Sequence, residues 1–580
     1  MTPRRTLLVV LAVALAISLP SIALAFYSDD YALLSAVEGR LPIAPPSYDL
    51  YRFVSGDVAA RIATGTLPWW ASPQLHLHLV RPLASVLLAA DVKLFGHAPL
   101  GYHLHSIAWY LALVAAVTAL HRRLLPGATG TIAALLFAVN EAHVSPWGWV
   151  SCRHMTIAAF FSVLAVLAIV PSGGHPRPRG RWLAAGFIAL GLLGGETALG
   201  GVAYVVAYAV ETSPAPDRWR KSMRLAGPTL GVLFVYLLAY GLVGGGAAHS
   251  DGYRTPMSSP LAFAIAAVWR LPIMLGNATL AVPSDLSNAL PVTPLVVLGL
   301  LGCGIVAALA RAVAPAMSAD ERSALRWLVP GAILAIVPAL GGFLGARLLL
   351  LPNVGFCALF AVLLRRGFTR AGGAKGARLA LARAATGLFA FLRIVAAPAM
   401  ALALTAAGVR MARGLEAVSR DVASFAAPGD RVFVLVASDP MASIYPPMVL
   451  LAGDVAWGRS CWSIASGAKA AHGITRTGPR SLAIEPRGLT LLVGAFERLF
   501  RPSDEPLRTG DLVRQCGAVY RVAAEDDGRP TRVEVAFDAQ LDDPRMHIAA
   551  WQDGHLRPLA IPAEGRTVEV PWSPGPTGLF

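Results

Sequence analysis

Residues 6–30 read TLLVVLAVALAISLPSIALAFYSDD, a largely apolar run that ends abruptly in Phe26-Tyr27-Ser28-Asp29-Asp30-Tyr31. With Arg4 and Arg5 before it, the run has the length of one bilayer crossing, about twenty residues. Two adjacent carboxylates stand where that crossing should meet water. Ala23-Leu24-Ala25 also has the small residues of a signal-peptidase site, so cleavage after Ala25 is a rival to an uncleaved anchor. The length of the apolar run favours the anchor.

The rest of the chain has the same character. Of 580 residues 56% are hydrophobic and 14% charged, and the mean hydropathy is +0.59. That is too apolar for an ordinary soluble fold. The net charge of +15 sits in short basic clusters between apolar runs and forms no single patch, which excludes nucleic acid and signals membrane orientation.

Spans are expected near 101–120, 129–146, 154–170, 182–195 and 197–211, then 225–244, 291–313, 326–344, 347–364 and 385–410. With the first run this gives an α-helical polytopic membrane protein of about eleven transmembrane helices. His121-Arg122-Arg123, Arg177 to Arg181, Arg218 to Arg224, Arg311 to Arg326 and Arg365 to Arg383 then all fall on the side of the N-terminus, the cytoplasm. Leu261 to Val282 carries Trp269-Arg270 and Pro272, and counting it as a span would invert every later loop. It is expected at the outer surface.

Residues 1–413 form the membrane domain, with a large first periplasmic loop over 27–98. In that loop Leu50, Phe53, Val54, Val58 and Ile62 share one helical face of the stretch Asp49 to Ala63, which predicts a helix lying on the membrane surface. Leu83 to Phe95, interrupted by Asp91 and Lys93, is too short for a span and is expected as a second interfacial helix. Residues 414–580 have a soluble composition and form a periplasmic α/β or mainly β domain. Strands are expected over Arg431 to Ala437, Val519 to Val522, Arg532 to Phe537 and Thr567 to Val570. The five cysteines show no C-x-x-C spacing. Only Cys461 and Cys516 sit in polar sequence, where an oxidising compartment would join them. Trp457, Trp462 and Trp551 read as core aromatics, with sugar platforms as the functional alternative.

Charged side chains at span ends are costly and invite a functional reading. On the outer side the topology collects Asp29, Asp30, Arg81, His103, His143, Arg153, Glu196 and Arg347. Two acids with several cations suit transfer of a group from an anionic lipid carrier to a nucleophile. A carboxylate takes the acceptor's proton, and arginines hold the leaving phosphate by paired, charge-assisted hydrogen bonds. The blander readings are a solvated loop start for the acids, headgroup anchoring for Arg81 and Arg347, and interfacial hydrogen bonding for the histidines. His76 and His78 have strand-like metal-pair spacing without a third ligand and are expected as surface polar residues.

The order of these motifs resembles that of the GT-C superfamily of membrane glycosyltransferases, in particular the tetratricopeptide-containing transmembrane O-mannosyltransferases and their bacterial relatives. The resemblance rests on Asp29-Asp30 after the first span, Arg81-Pro82-Leu83, Leu94-Phe95-Gly96, Gly101-Tyr102-His103-Leu104, Leu136 to Val144 with Trp149 to Arg153, Gly195-Glu196-Thr197-Ala198 and Arg347 to Gly355. It covers roughly residues 1–365. It implies a polyprenyl-phosphate sugar donor, catalysis by Asp29 and Asp30, and phosphate binding by Arg347.

The chain departs from the family pattern in several places. Asn140-Glu141 replaces His-Pro, Gly195 replaces a lysine, leucines replace the tyrosines after Arg347, and tetratricopeptides are absent from the sequence. The resulting expectation is an inverting, mannosyltransferase-like hexosyltransferase of the bacterial inner membrane. It would use membrane-embedded polyprenyl-phosphate sugar and an unidentified periplasmic glycan, lipid or protein acceptor. Arg81, His103, His143, Arg153, Glu196 and Arg347 are expected to bind substrate. No cofactor is required by the sequence, with Mg or Mn at Asp29/Asp30 as the one candidate. Rival readings are a lipid-linked saccharide transporter or flippase, and a noncatalytic membrane scaffold.

Overall fold

The computed structural model describes residues 2–171, 179–369, 377–437 and 439–576. Arg177 and the part of the basic loop at 370–376 lie outside the described residues. By packing, the chain falls into two compact units. One comprises Met1–Leu24, Val80–Gly245 and Thr255–Ala406; the other comprises Ala25–Leu79, Gly246–Arg254 and Ala407–Phe580.

The first unit is helical. Among the described residues eight helices are long and apolar enough to cross a membrane: Pro3–Ala23, Pro99–Leu124, Val150–Ile169, Arg218–Leu242, Pro260–Leu280, Val292–Ala316, Ala319–Ala339 and Ala380–Phe425. The protein is a multi-pass membrane protein, because in hydrocarbon a backbone must satisfy its hydrogen bonds within each segment. Shorter apolar helices, Ala128–Ala138, Gly180–Gly194 and Leu199–Thr212, fill the bundle. The expected span at 129–146 is a correction. Its helix stops at Ala138, and Glu141–His143 and Val144–Gly148 follow as two short turns. Asn140 breaks the helix by accepting the Ala142 N–H with its own side chain (3.0 Å), the local bond that makes asparagine a turn former.

Internal contacts define two faces of this unit. On one, Arg122 donates to the Pro3 carbonyl (2.7 Å), Arg365 to Thr129 (2.7 Å) and Arg366 to Glu321 (2.9 Å). On the other, Arg81 pairs with Glu196 (2.8 Å). Helix Pro260–Leu280 follows a helix whose Tyr240 lies within electrostatic reach of Arg81 and Glu196. It precedes Asp285, which accepts the Ala346 N–H (2.8 Å) next to Arg347. The stretch expected at the outer surface is thus a helix long and apolar enough to cross a membrane.

The second unit joins the first loop to the C-terminal residues in one core. Six antiparallel strands lie in the order Thr567–Val570, His472–Gly478, Ser481–Pro486, Arg529–Phe537, Ala518–Asp526, Leu512–Gln515. A four-stranded sheet runs His555–Pro558, Met546–Gln552, Arg431–Val436, Cys461–Ile464, with Arg431–Val436 parallel to both neighbours. Trp69 of the first loop stacks on Tyr520 of the larger sheet (5.1 Å between ring centroids) and donates to the Ala465 carbonyl (3.2 Å). Cys461 and Cys516 form a disulfide. Trp462 and Trp551 are buried, and partly buried Trp457 packs against the same core.

The amphipathic stretch Asp49 to Ala63 is the second correction. Arg52–Val54 is a strand paired with His76–His78, and only Val58–Ala63 is helical, capped by Asp57. Gly56 takes φ +81°, a left-handed turn that separates the two. Val54, Val58 and Ile62 are buried together with Leu67, Ala71 and Leu75, so this apolar set closes a protein core and does not lie on a membrane surface. His78 bonds to Asp49 (2.8 Å).

Candidate active site

Ser28 takes φ +53°, an uncommon conformation for a residue with a Cβ. It turns the chain sharply into helix Asp29–Val37 and puts both acids in the first turn, where the positive end of the helix dipole favours negative charge. Asp30 is buried and accepts the Tyr27 N–H (3.3 Å). Asp29 is half-buried and accepts the Tyr445 hydroxyl at Oδ1 (3.0 Å). Burial, then the Asp29 carboxylate, hold the Tyr445 phenol well above its usual range. Burial, then Glu416 and Asp30, do the same for Tyr31. Both phenols are therefore protonated donors at neutral pH.

The pair offers a divalent cation two carboxylates. Among the described residues no group of three or more His, Cys, Asp or Glu gathers to hold an ion.

In the helical unit, three sequence-distant residues come together. Arg81 donates to Glu196, and both side chains keep some exposure (12% and 26%). Arg81 and Arg347 both lie within electrostatic reach of buried His154. The Arg347 guanidinium sits 5.8 Å over the Trp149 ring, a cation–π contact that fixes its plane. A Cβ at Gly195 would stand 2.8 Å from His154 Nδ1. His154 thus occupies the space beside Gly195, the position where the resembling motif carries a lysine. His154 went unnoticed in the sequence because nothing local to it signals the arginines 73 and 193 positions away.

The other expected residues have other partners. Arg153 ion-pairs with Asp91, donates to Ser106 (2.9 Å) and to the Tyr102 carbonyl (3.2 Å), and is buried, as is Asp91. Trp109 donates to His105 Nε2 (3.0 Å), so the His105 Nδ1–H faces Asp91 (2.7 Å). His143 is fully buried between Tyr110 (3.2 Å) and the Asn353 amide (3.1 Å). His103 is fully buried, with Arg153 and the Leu24 carbonyl as its electrostatic neighbours. Glu141 faces Arg393 (3.7 Å) and accepts from Asn277 (3.4 Å).

No family model and no curated protein matches the chain. Among solved structures it overlaps the archaeal oligosaccharyltransferase AglB from Archaeoglobus fulgidus in complex with an inhibitory peptide and a dolichol-phosphate, with TM-score 0.41 and 14% identity over 78% of this chain and 64% of that one. It overlaps ArnT from Cupriavidus metallidurans bound to undecaprenyl phosphate with TM-score 0.32 and 12% identity over 92% and 98%. It overlaps the arabinofuranosyltransferase AftD from Mycobacteria with TM-score 0.38 and 14% identity over 93% and 40%. The chain thus spans less than two thirds of the length of AglB. Overlaps this loose assign neither reaction nor substrate.

Proposed function

We propose that the protein is a membrane glycosyltransferase with GT-C-like organisation, transferring a sugar from a polyprenyl-phosphate donor to an acceptor hydroxyl with inversion at the anomeric carbon. The acceptor oxygen forms a bond to C1 as the bond from C1 to the phosphate oxygen breaks. That electron pair leaves on the lipid phosphate, and the acceptor proton passes to a carboxylate. Asp29, the half-buried member of the pair, is the base, and buried Asp30 holds the first turn of its helix. Arg347 and Arg81 bind the departing phosphate, since paired guanidinium donors favour the charge that develops on it.

The observation that carries this reading is that Arg81 and Arg347, 266 positions apart, both lie within electrostatic reach of the same buried histidine while Arg81 keeps some exposure. By the sequence orientation the reaction is periplasmic, at the bacterial inner membrane. Protease added to intact spheroplasts should then remove the C-terminal residues.

The test is transfer by purified protein from a panel of labelled polyprenyl-phosphate sugars, with membrane extract as acceptor source. Asp29→Asn should lower the rate by about a hundredfold or more. Undiminished transfer by well-expressed Asp29→Asn and Asp30→Asn would remove the acids from the mechanism.

A further inference from the structure

Asp29 is met by a side chain that lies 416 positions away in sequence. Tyr445 immediately precedes helix Pro446–Gly453 of the C-terminal residues and donates its hydroxyl to Asp29 Oδ1 (3.0 Å). The two helices run side by side in the same direction. Asp29 opens its helix next to Tyr445, while Arg40, just past the end of that helix, donates to the carbonyls of Leu451 (3.1 Å) and Ala452 (2.6 Å) in the other helix's last turn. Arg40 there satisfies carbonyls that have no partner within the helix. Pro446 and Pro447 open the second helix and fix its first turn. The ring of Phe496 packs edge-on against the Tyr445 ring (6.3 Å between centroids). Tyr445 thus has its backbone fixed by a proline-led helix start, its ring braced by an aromatic neighbour, and its single donor aimed at one oxygen of Asp29.

We propose that Tyr445 is a positioning residue for the acid pair: the C-terminal residues contribute a hydroxyl that fixes the rotamer of Asp29 and so aims its carboxylate at the acceptor. A carboxylate on the first turn of a short helix has more than one staggered rotamer open to it. A hydrogen bond to a charged oxygen is among the stronger ones in a protein, and a base must be held close to its productive geometry to act. The proposal rests on the reading of Asp29 as the base, and it gives the C-terminal residues a role in catalysis.

Tyr445→Phe keeps the ring and removes the donor, and Arg40→Gln loosens the same pair of helices without touching Asp29. In the labelled polyprenyl-phosphate sugar assay, Tyr445→Phe should lower kcat about tenfold, in line with a lost hydrogen bond to a charged group, with the donor KM within about twofold. Arg40→Gln should lower the melting temperature at least as much as Tyr445→Phe and leave kcat within about twofold. Wild-type kcat in Tyr445→Phe, or an equal loss of kcat in Arg40→Gln, would overturn the proposal.

A second measurement needs no substrate. The melting-temperature shifts of Tyr445→Phe and Asp29→Asn should combine to less than their sum in the double variant, and additive shifts would overturn the proposal whatever the activity. Failure of the wild type to transfer any sugar, or undiminished transfer by Asp29→Asn, would instead defeat the glycosyltransferase reading. The coupling measurement then still decides whether the hydroxyl and carboxylate act as a pair.

Discussion

Two arginine–carboxylate pairs of the helical unit, Arg153–Asp91 and Arg81–Glu196, look alike on paper and differ in what surrounds them. The side chains of the first are 4% and 2% exposed, those of the second 12% and 26%. Arg153 also donates to Ser106 and the Tyr102 carbonyl, and Asp91 also meets His105. A charge pair so enclosed is matched within the protein. Arg81 and Glu196 keep more exposure, and Arg81 and Arg347 both lie within electrostatic reach of His154, which under the proposed mechanism offers an incoming phosphate two guanidinium groups. Burial distinguishes the two pairs, although both arginines stand near span ends.

The strongest way to break the contrast is to remove one partner of the enclosed pair. Arg153→Ala leaves a buried carboxylate uncompensated, which typically costs about 3–5 kcal/mol, so thermal unfolding in detergent should show a large loss of stability. The double variant Asp91→Leu/Arg153→Met should recover most of it, since apolar replacement of both partners is often neutral. Next in size, Arg347→Ala should keep wild-type stability and lower kcat/KM for the lipid-phosphate donor by about a hundredfold, roughly 2.7 kcal/mol of transition-state stabilisation. Stability loss without a kinetic effect would assign Arg347 to the scaffold. Arg81→Lys should keep the charge but lose the planar fork, raising the donor KM by about tenfold, read from initial rates over a donor titration. The smallest effect is expected for Glu196→Gln. It removes the competing carboxylate and keeps a hydrogen-bond acceptor for Arg81, so donor KM should change by less than about threefold.

Much of this was legible in the sequence. Continuous apolar runs such as 6–26 and 291–313 each correspond to a helix long and apolar enough to cross a membrane, Pro3–Ala23 and Val292–Ala316, because a membrane helix closes its hydrogen bonds within its own residues. The strands at Arg431–Val436 and Arg529–Phe537 showed in their composition and alternation. The two cysteines in polar sequence are joined. Where the reading failed, a local pattern had two solutions. The apolar set of Asp49 to Ala63 fits a helical face, yet Gly56 and the partner strand His76–His78 divide it into strand and helix. The run at 129–146 is apolar enough for a span, but the side-chain bond of Asn140 stops its helix early.

The sequence by itself therefore determined the membrane class, most helices, four of the strands and the adjacency of Asp29 and Asp30, because each depends on residues close together in the chain. Only the tertiary structure decided which arginine is matched, which is accessible and which hydroxyl meets Asp29. Asp91 lies 62 positions from Arg153, Arg81 lies 115 from Glu196, and Tyr445 lies 416 from Asp29. Hydrogen bonds and ion pairs act over a few ångströms of space, and distance along the chain does not encode them.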